Sequence, residues 1–407
     1  MFSWFRVLTV AFVLLLALCA SRDVSAYSVL AHEASVDAVW ESHIRPLLVR
    51  RYPGTSREAL QAARSYAYGG SVIQDLGYYP FGNKFFSNVV HYVRSGDFVE
   101  HLVRDAHDVN EFAFALGALA HYATDNTGHP EAVNKSVALM FPKLRSKYGD
   151  TVTYVQSPAS HVIVEFSFDI VQVAAGAYLP DNYHAFIGFQ VAQPLLDRAF
   201  RETYGLQMTD VFGNEDLAIS TYRRSVSELI PELTRVAWRD KHDEIARLAP
   251  AVKESAFTYR YTRQQFNQEF GREYRQAGLF ARVIAFLYRL LPKIGPLKPL
   301  SFRTPTPEAE ALFTASFKDA RARYAAGLDE VAAGRLNLAN RDFDTGKPAA
   351  FGEYPLADRT YSELLERLDH GDAKQVPPPL LANIKAFYAK GDLPRRVRER
   401  LARLEQH

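Results

Sequence analysis

Apolar and polar positions recur with the period of an α-helix from Tyr27 to about Leu290, without long runs of strict alternation or closely spaced hairpin signals. The pattern predicts an all-α protein. One helix is expected to start at the cap "DVNE", Asp108 to Glu111, and to run through "FAFALGALAHYATD" to a stop at Asn126, Gly128 and Pro130. A second is expected from "SPASHVIVEF", with Ser157 as cap and Pro158 at the first helical position. The segment Leu291 to Glu308 holds five prolines and breaks the periodicity; helical segments resume near Ala309 to Gly334 and Leu380 to Glu405, with turn-rich sequence between them.

The first residues follow another rule. After Met-Phe-Ser-Trp-Phe-Arg comes the apolar run "VLTVAFVLLLALCA" and then "DVSA", the parts of a secretory signal peptide with a cut after Ala26. The run is about 14 residues, short of the roughly 20 that span a bilayer, so cleavage is favoured over an uncleaved anchor. A secreted or periplasmic protein beginning at Tyr27 is expected. The single cysteine, Cys19, lies inside the signal and follows Leu18, which does not suit lipidation. The mature chain therefore has no disulfide and needs a large core, metal ions or both for stability.

Length, 407 residues, and 48% hydrophobic content allow such a core and about two domains. The expected organisation is a signal peptide over 1–26, a catalytic domain over 27–240 and a helical C-terminal extension over 241–407. Lys+Arg of 48 against Asp+Glu of 46 gives a net charge of +2, which argues against a stable nucleic-acid partner. A monomer is expected. Nine of the twelve histidines precede residue 185, which places the candidate chemistry in the first half.

His121 and Asp125 are four apart on the first helix and share a face; His161 and Glu165 repeat the arrangement on the second. Each pair is a half-site for zinc, which takes nitrogen and oxygen ligands at about 2.0 to 2.2 Å. Asp125 falls in the last turn of its expected helix, where the dipole disfavours an anion and a cation reverses the penalty; a solvated residue at a helix end is the plainer alternative. His129 follows Asp125 by four, past a glycine that lets the chain turn back. Asp75, His91 and His32 enlarge the set, although each alone has a structural explanation.

Taken together, these residues resemble the zinc-dependent phospholipase C family and its relatives, the single-strand-specific zinc nucleases. The resemblance implies an all-α core around up to three zinc ions. Tyr27 and His32 match the N-terminal residue, which binds through its own amine and carbonyl, and the histidine after it. Asp75, His91, the pair His121 and Asp125, His129, and the pair His161 and Glu165 match the rest in order. By that likeness Asp75, His91, His121 and Asp125 hold one zinc, His129, His161 and Glu165 a second, and Tyr27, His32 and a bridging Asp125 a third. A zinc-bound hydroxide is the implied nucleophile, with Asp75 as ligand or general base. Tyr27 stands where the family usually has Trp, and the gap from Asp125 to His129 is four rather than six.

The implied reaction is phospholipase C-type cleavage of a phospholipid head group. A nuclease or nucleotidase on the same ions, and a non-catalytic exported zinc protein, are the alternatives. "LGYYPFGNKFF", Leu76 to Phe86, sets aromatics beside Asp75 that suit a choline cage, base stacking or plain core. Gly278 to Pro296 has the composition of an interfacial membrane helix or of a buried one.

Overall fold

The computed structural model describes residues 29–174, 189–226, 303–370, 376–389 and 393–404. Tyr27, the expected signal segment and the stretch 278–296 lie outside the described residues, as does the expected domain boundary at 240. Among the described residues there are helices and no strand, only an isolated bridge between Arg341 and Pro348. The principal helices are α1 (Val29–Val39), α2 (Arg57–Val72), α3 (Lys84–Tyr92), α4 (Ser95–Arg104), α5 (Val109–Gly128), α6 (Asn134–Met140), α7 (Pro158–Ala174), α8 (Gln193–Tyr204), α9 (Glu215–Arg224), α10 (Pro307–Ala332), α11 (Pro355–His370), α12 (Pro378–Phe387) and α13 (Arg395–Leu404). No helix of the described residues is long and apolar enough to cross a membrane.

The centre of the fold is α5, buried along nearly its whole length and packed against α1, α2, α4 and α10. Its start is as expected: the Asp108 carboxylate accepts from the Asn110 and Glu111 amides at 2.9 Å, and Glu111 accepts from the His107 amide. Small residues let α2 and α5 touch through their backbones. A Cβ on Gly70 would lie 1.9 Å from the Phe114 carbonyl oxygen, and one on Gly117 would lie 2.0 Å from that of Ala67. Helix α1 is tied to α2 by Asp37, whose Oδ1 accepts from Arg64 Nε at 3.0 Å and from the Tyr68 hydroxyl at 2.6 Å.

The end of α5 differs from expectation. Gly128 keeps right-handed helical angles (φ −65°, ψ −44°), so the chain does not turn back there. It runs on through a π-helical turn, His129–Val133, into α6. The wider turn accommodates Pro130, which has no N–H to give to an α-helical ladder. Asp125 is therefore not beside a free helix end, and the dipole argument for a cation there does not hold. In its place, His121, Asp125 and His129 form one stripe at intervals of four along a continuous helical path.

The segment from Leu380 to Glu405 is not one helix but two, α12 and α13, with Pro394 immediately before α13; the turn-rich region ahead of it contains α11. These C-terminal helices join the same hydrophobic core as the first half: Tyr324, Leu328, Tyr361, Leu364, Ile384 and Phe387 cluster with residues of α2 to α5. The Tyr324 hydroxyl donates to the Leu116 carbonyl of α5 at 2.9 Å.

Candidate metal centre

Eight of the nine expected ligands are described, and each is at most 2% exposed: His32, Asp75, His91, His121, Asp125, His129, His161 and Glu165. They converge from α1, the 3-10 turn Ile73–Tyr78, α3, α5, the π turn and α7. Among the described residues three sets could hold a metal ion: Asp75 with His91 and His121; His32 with His121 and Asp125; and His129 with His161 and Glu165.

His121 belongs to the first two sets, and Asp125 lies between them. Its Oδ2 lies 3.0 Å from His121 Nε2 and 3.4 Å from His91 Nε2, while its Oδ1 lies 3.3 Å from His32 Nε2. The two oxygens thus face two different sets. His91 Nε2 is 3.5 Å from Asp75 Oδ1 and 3.3 Å from His121 Nε2. In the other set, His161 Nδ1 is 3.3 Å from Glu165 Oε1, and the His129 and His161 rings stack with centroids 5.7 Å apart. Donors about 2.0 to 2.2 Å from one tetrahedral ion stand roughly 3.3 to 3.6 Å from each other, so these spacings fit shared ions.

The outward ring nitrogens explain which atoms face inward. His91 Nδ1 meets the Ser87 carbonyl at 2.7 Å, and His121 Nδ1 meets that of Ser71 at 2.9 Å. A carbonyl only accepts, so Nδ1 carries the proton in both rings and Nε2 presents its lone pair. His161 is reversed, with Nε2 on the Val152 carbonyl at 2.9 Å and Nδ1 turned inward. His32 Nδ1 meets Thr124 Oγ1 at 2.8 Å; that hydroxyl donates to the Ala120 carbonyl and accepts from the ring. Imidazole lone pairs facing carboxylate oxygens are held together by protons or by a cation.

The electrostatics agree. Burial, helped by the neighbouring His121, lowers His32 to about 3, and burial with His129 lowers His161 to about 4, so both stay neutral as metal ligation requires. Burial also works against charge on His91 and His129, yet Asp125 and Asp75 raise His91 to about 10, and Asp125, Asp344 and Glu165 raise His129 to about 9. Against its own burial, Asp125 is held well below the usual carboxylate range by His121, His32 and His129. Burial pushes Glu165 well up. An arriving cation takes the place of the protons on such a cluster and satisfies these carboxylates without them.

Of the aromatics after Asp75, Phe85 and Phe86 are core, Tyr79 lies against Tyr222 with centroids 4.0 Å apart, and Phe81 adopts a left-handed φ of 63°. Tyr78 of this group meets the cluster, edge-on to His91 at 6.0 Å, with its hydroxyl on Asn88 Oδ1.

The residues that sequence reasoning missed come from the C-terminal half. The turn Arg341–Pro348 docks on the cluster: Phe343 is fully buried with its ring 5.0 Å from that of His91 and 6.0 Å from that of His121. Its amide donates to the His91 carbonyl at 3.3 Å. Beside it, Asp344 Oδ1 stands 3.5 Å from His129 Nδ1. The signal was the pair of aspartates flanking a phenylalanine in "NRDFDTG", Asn340 to Gly346, unusual for a solvated turn. His43, His101 and His107 lie apart from the cluster; His101 Nδ1 pairs with Thr203 Oγ1 at 2.7 Å.

Residues 34–214 match the family model described as zinc dependent phospholipase C. No curated protein and no solved structure matches the chain. The matched span contains every described ligand candidate except His32, in an all-helical frame, and it places residues 34–214 in the zinc-dependent phospholipase C family, a family of hydrolases.

Proposed function

We propose that this chain is an exported zinc phosphodiester hydrolase that cleaves phospholipids in the phospholipase C manner, releasing diacylglycerol and a phosphorylated head group. The observation that carries the reading is Asp125, whose two oxygens face two separate donor sets inside a buried cluster of imidazoles and carboxylates. Asp75, His91, His121 and Asp125 hold one ion and His129, His161 and Glu165 a second. His32 and the other oxygen of Asp125 hold a third together with the amine and carbonyl of Tyr27, which requires removal of residues 1–26. Bound zinc supplies a Lewis acid for the phosphoryl oxygens and lowers the pKa of water enough for attack at neutral pH.

The protein's part is positional. The Ser71, Ser87 and Val152 carbonyls fix the imidazole tautomers, and Asp75, 3.5 Å from His91 Nε2, would ligate or take the proton of the attacking water. The leader sequence supports export, and 278–296 supports peripheral contact with a lipid surface.

The test is hydrolysis of phosphatidylcholine vesicles by the mature protein, with and without chelator, beside single-stranded RNA as competing substrate. Chelator-sensitive release of diacylglycerol is expected. Cleavage of RNA alone overturns the phospholipid assignment, and an unaltered rate after zinc removal overturns the metal chemistry.

A further inference from the structure

Each imidazole of the cluster has one nitrogen turned inward and the other held from behind. His32 is held by Thr124, His91 by Ser87, His121 by Ser71 and His161 by Val152, all through neutral oxygens. His129 completes the series differently. Its Nε2 faces Asp125 Oδ2 at 3.7 Å, toward the cluster, and its Nδ1 faces the carboxylate of Asp344 at 3.5 Å. We propose that Asp344, outside the family-matched segment, is the positioning residue for His129: its carboxylate accepts a hydrogen bond from Nδ1–H and keeps the proton on that nitrogen, so that Nε2 is the atom offered to the metal.

The carboxylate is built for this task. Asp344 Oδ2 accepts from the Tyr92 hydroxyl at 3.0 Å and from the Tyr354 hydroxyl, which fixes the plane of the group and turns Oδ1 toward His129. The backbone beneath is equally constrained. Asp342 Oδ1 accepts from the Asp344 and Thr345 amides at 2.9 and 3.1 Å, and Asn134 Nδ2 donates to the Asp344 carbonyl at 2.8 Å. The turn is anchored to α4 through Asn340 Oδ1, which accepts from the Gly96 and Asp97 amides at 3.0 and 3.1 Å. Such rigid support is what a group orienting a ligand needs.

A carboxylate behind a ligand imidazole raises its basicity and fixes its tautomer, and loss of such a partner costs about 10- to 100-fold in metal affinity. The separation of 3.5 Å exceeds the usual 2.7 to 3.2 Å of a formed N–H···O bond, so a shift of about half an ångström as the ring seats on its ion closes the contact. His129 is then backed by a carboxylate where the other four imidazoles are backed by neutral oxygens, and the second ion depends on the C-terminal half of the chain.

The inference rests on the proposed zinc cluster, so the experiment separates the two. In zinc-loaded wild-type protein carrying ¹⁵N-labelled histidine, NMR reads which nitrogen of His129 holds the proton. A protonated Nδ1 is expected; a protonated Nε2, with Nδ1 on the metal, overturns the proposal. Chelator competition on Asp344→Ala should show one ion bound about 10- to 100-fold more weakly, with Asp344→Asn in between because its amide oxygen still accepts. Wild-type affinity in folded Asp344→Ala overturns the proposal while the zinc reading stands, provided His129→Ala loses an ion. Should His129→Ala keep the full zinc content, the cluster itself is wrong. If Asp344→Ala does not fold, the wild-type tautomer decides.

Discussion

Gly117 of α5 and Ala67 of α2 meet backbone to backbone: a Cβ on Gly117 would fall 2.0 Å from the Ala67 carbonyl oxygen. The approach does more than fill space, because the next turn of the same interface carries the bond from His121 Nδ1 to the Ser71 carbonyl at 2.9 Å. Gly117→Ala must push the two helices apart. A loss of about 1 to 3 kcal/mol is expected from overpacking, together with weaker zinc binding by the folded fraction. Urea unfolding and a metal titration check both; an unchanged midpoint would show that the helices have slack that the geometry does not.

The proposed bridging role of Asp125 separates it from ligands proposed to serve one ion. Asp125→Ala removes the oxygen donor from both faces at once. Zinc content is expected to fall by about two ions per chain, against about one for His161→Ala. Elemental analysis of the two purified variants makes the comparison, and equal losses would remove the bridge.

The periodicity of the chain announced the helices, and the four-residue intervals announced the stripe of His121 and Asp125 and its counterpart, His161 and Glu165. Local rules were sufficient there, since an α-helix turns such spacing into a shared face. They failed at Gly128 and Pro130, residues that normally punctuate helices, because the π turn absorbs the proline and α6 continues the path into a packed neighbourhood. The same continuation gives the short Asp125 to His129 interval its geometry. What the sequence pattern did not reveal is Asp344 and Phe343: they reach the cluster through tertiary contacts, which no local spacing encodes.

Gly346 sits where the docking turn passes beside Asn126 and Pro130 of the helical path. Its φ is +68°, and a Cβ there would lie 3.1 Å from the Asn126 carbonyl oxygen and 3.1 Å from Pro130 Cγ. Gly346→Ala therefore combines a left-handed residue with a tight contact, and a cost of about 1 to 3 kcal/mol is expected. Hydrogen exchange should show faster opening of the amides of Asp342, Asp344 and Thr345 than in the wild type; unchanged protection would mean that the turn is not held by this contact.

Away from the metal cluster, Glu215 at the start of α9 provides a pH test whose sign is fixed by its surroundings. Burial, and then the neighbouring Asp197, raise its pKa from 4.5 to about 7. The folded state thus prefers the protonated acid. Below about pH 4.5 the group is protonated in both states and costs nothing, and as pH rises to about 7 the unfolded chain ionises freely while the folded one resists. Stability from this group is lost across that window and stays lost above it. Glu215→Gln is neutral throughout, so its advantage over wild type should be nil near the lower limit and grow to roughly 1 to 2 kcal/mol above the upper one, after discounting for partial exposure. The helix N-terminus favours an anion by about 0.3 to 1 kcal/mol and trims that gain. Urea midpoints of the two proteins across the window report the difference, because the titrations other than that of Asp197, which pairs with Glu215, are common to both. A difference that does not change with pH would mean that Glu215 ionises normally and that the Asp197 carboxylate does not press on it.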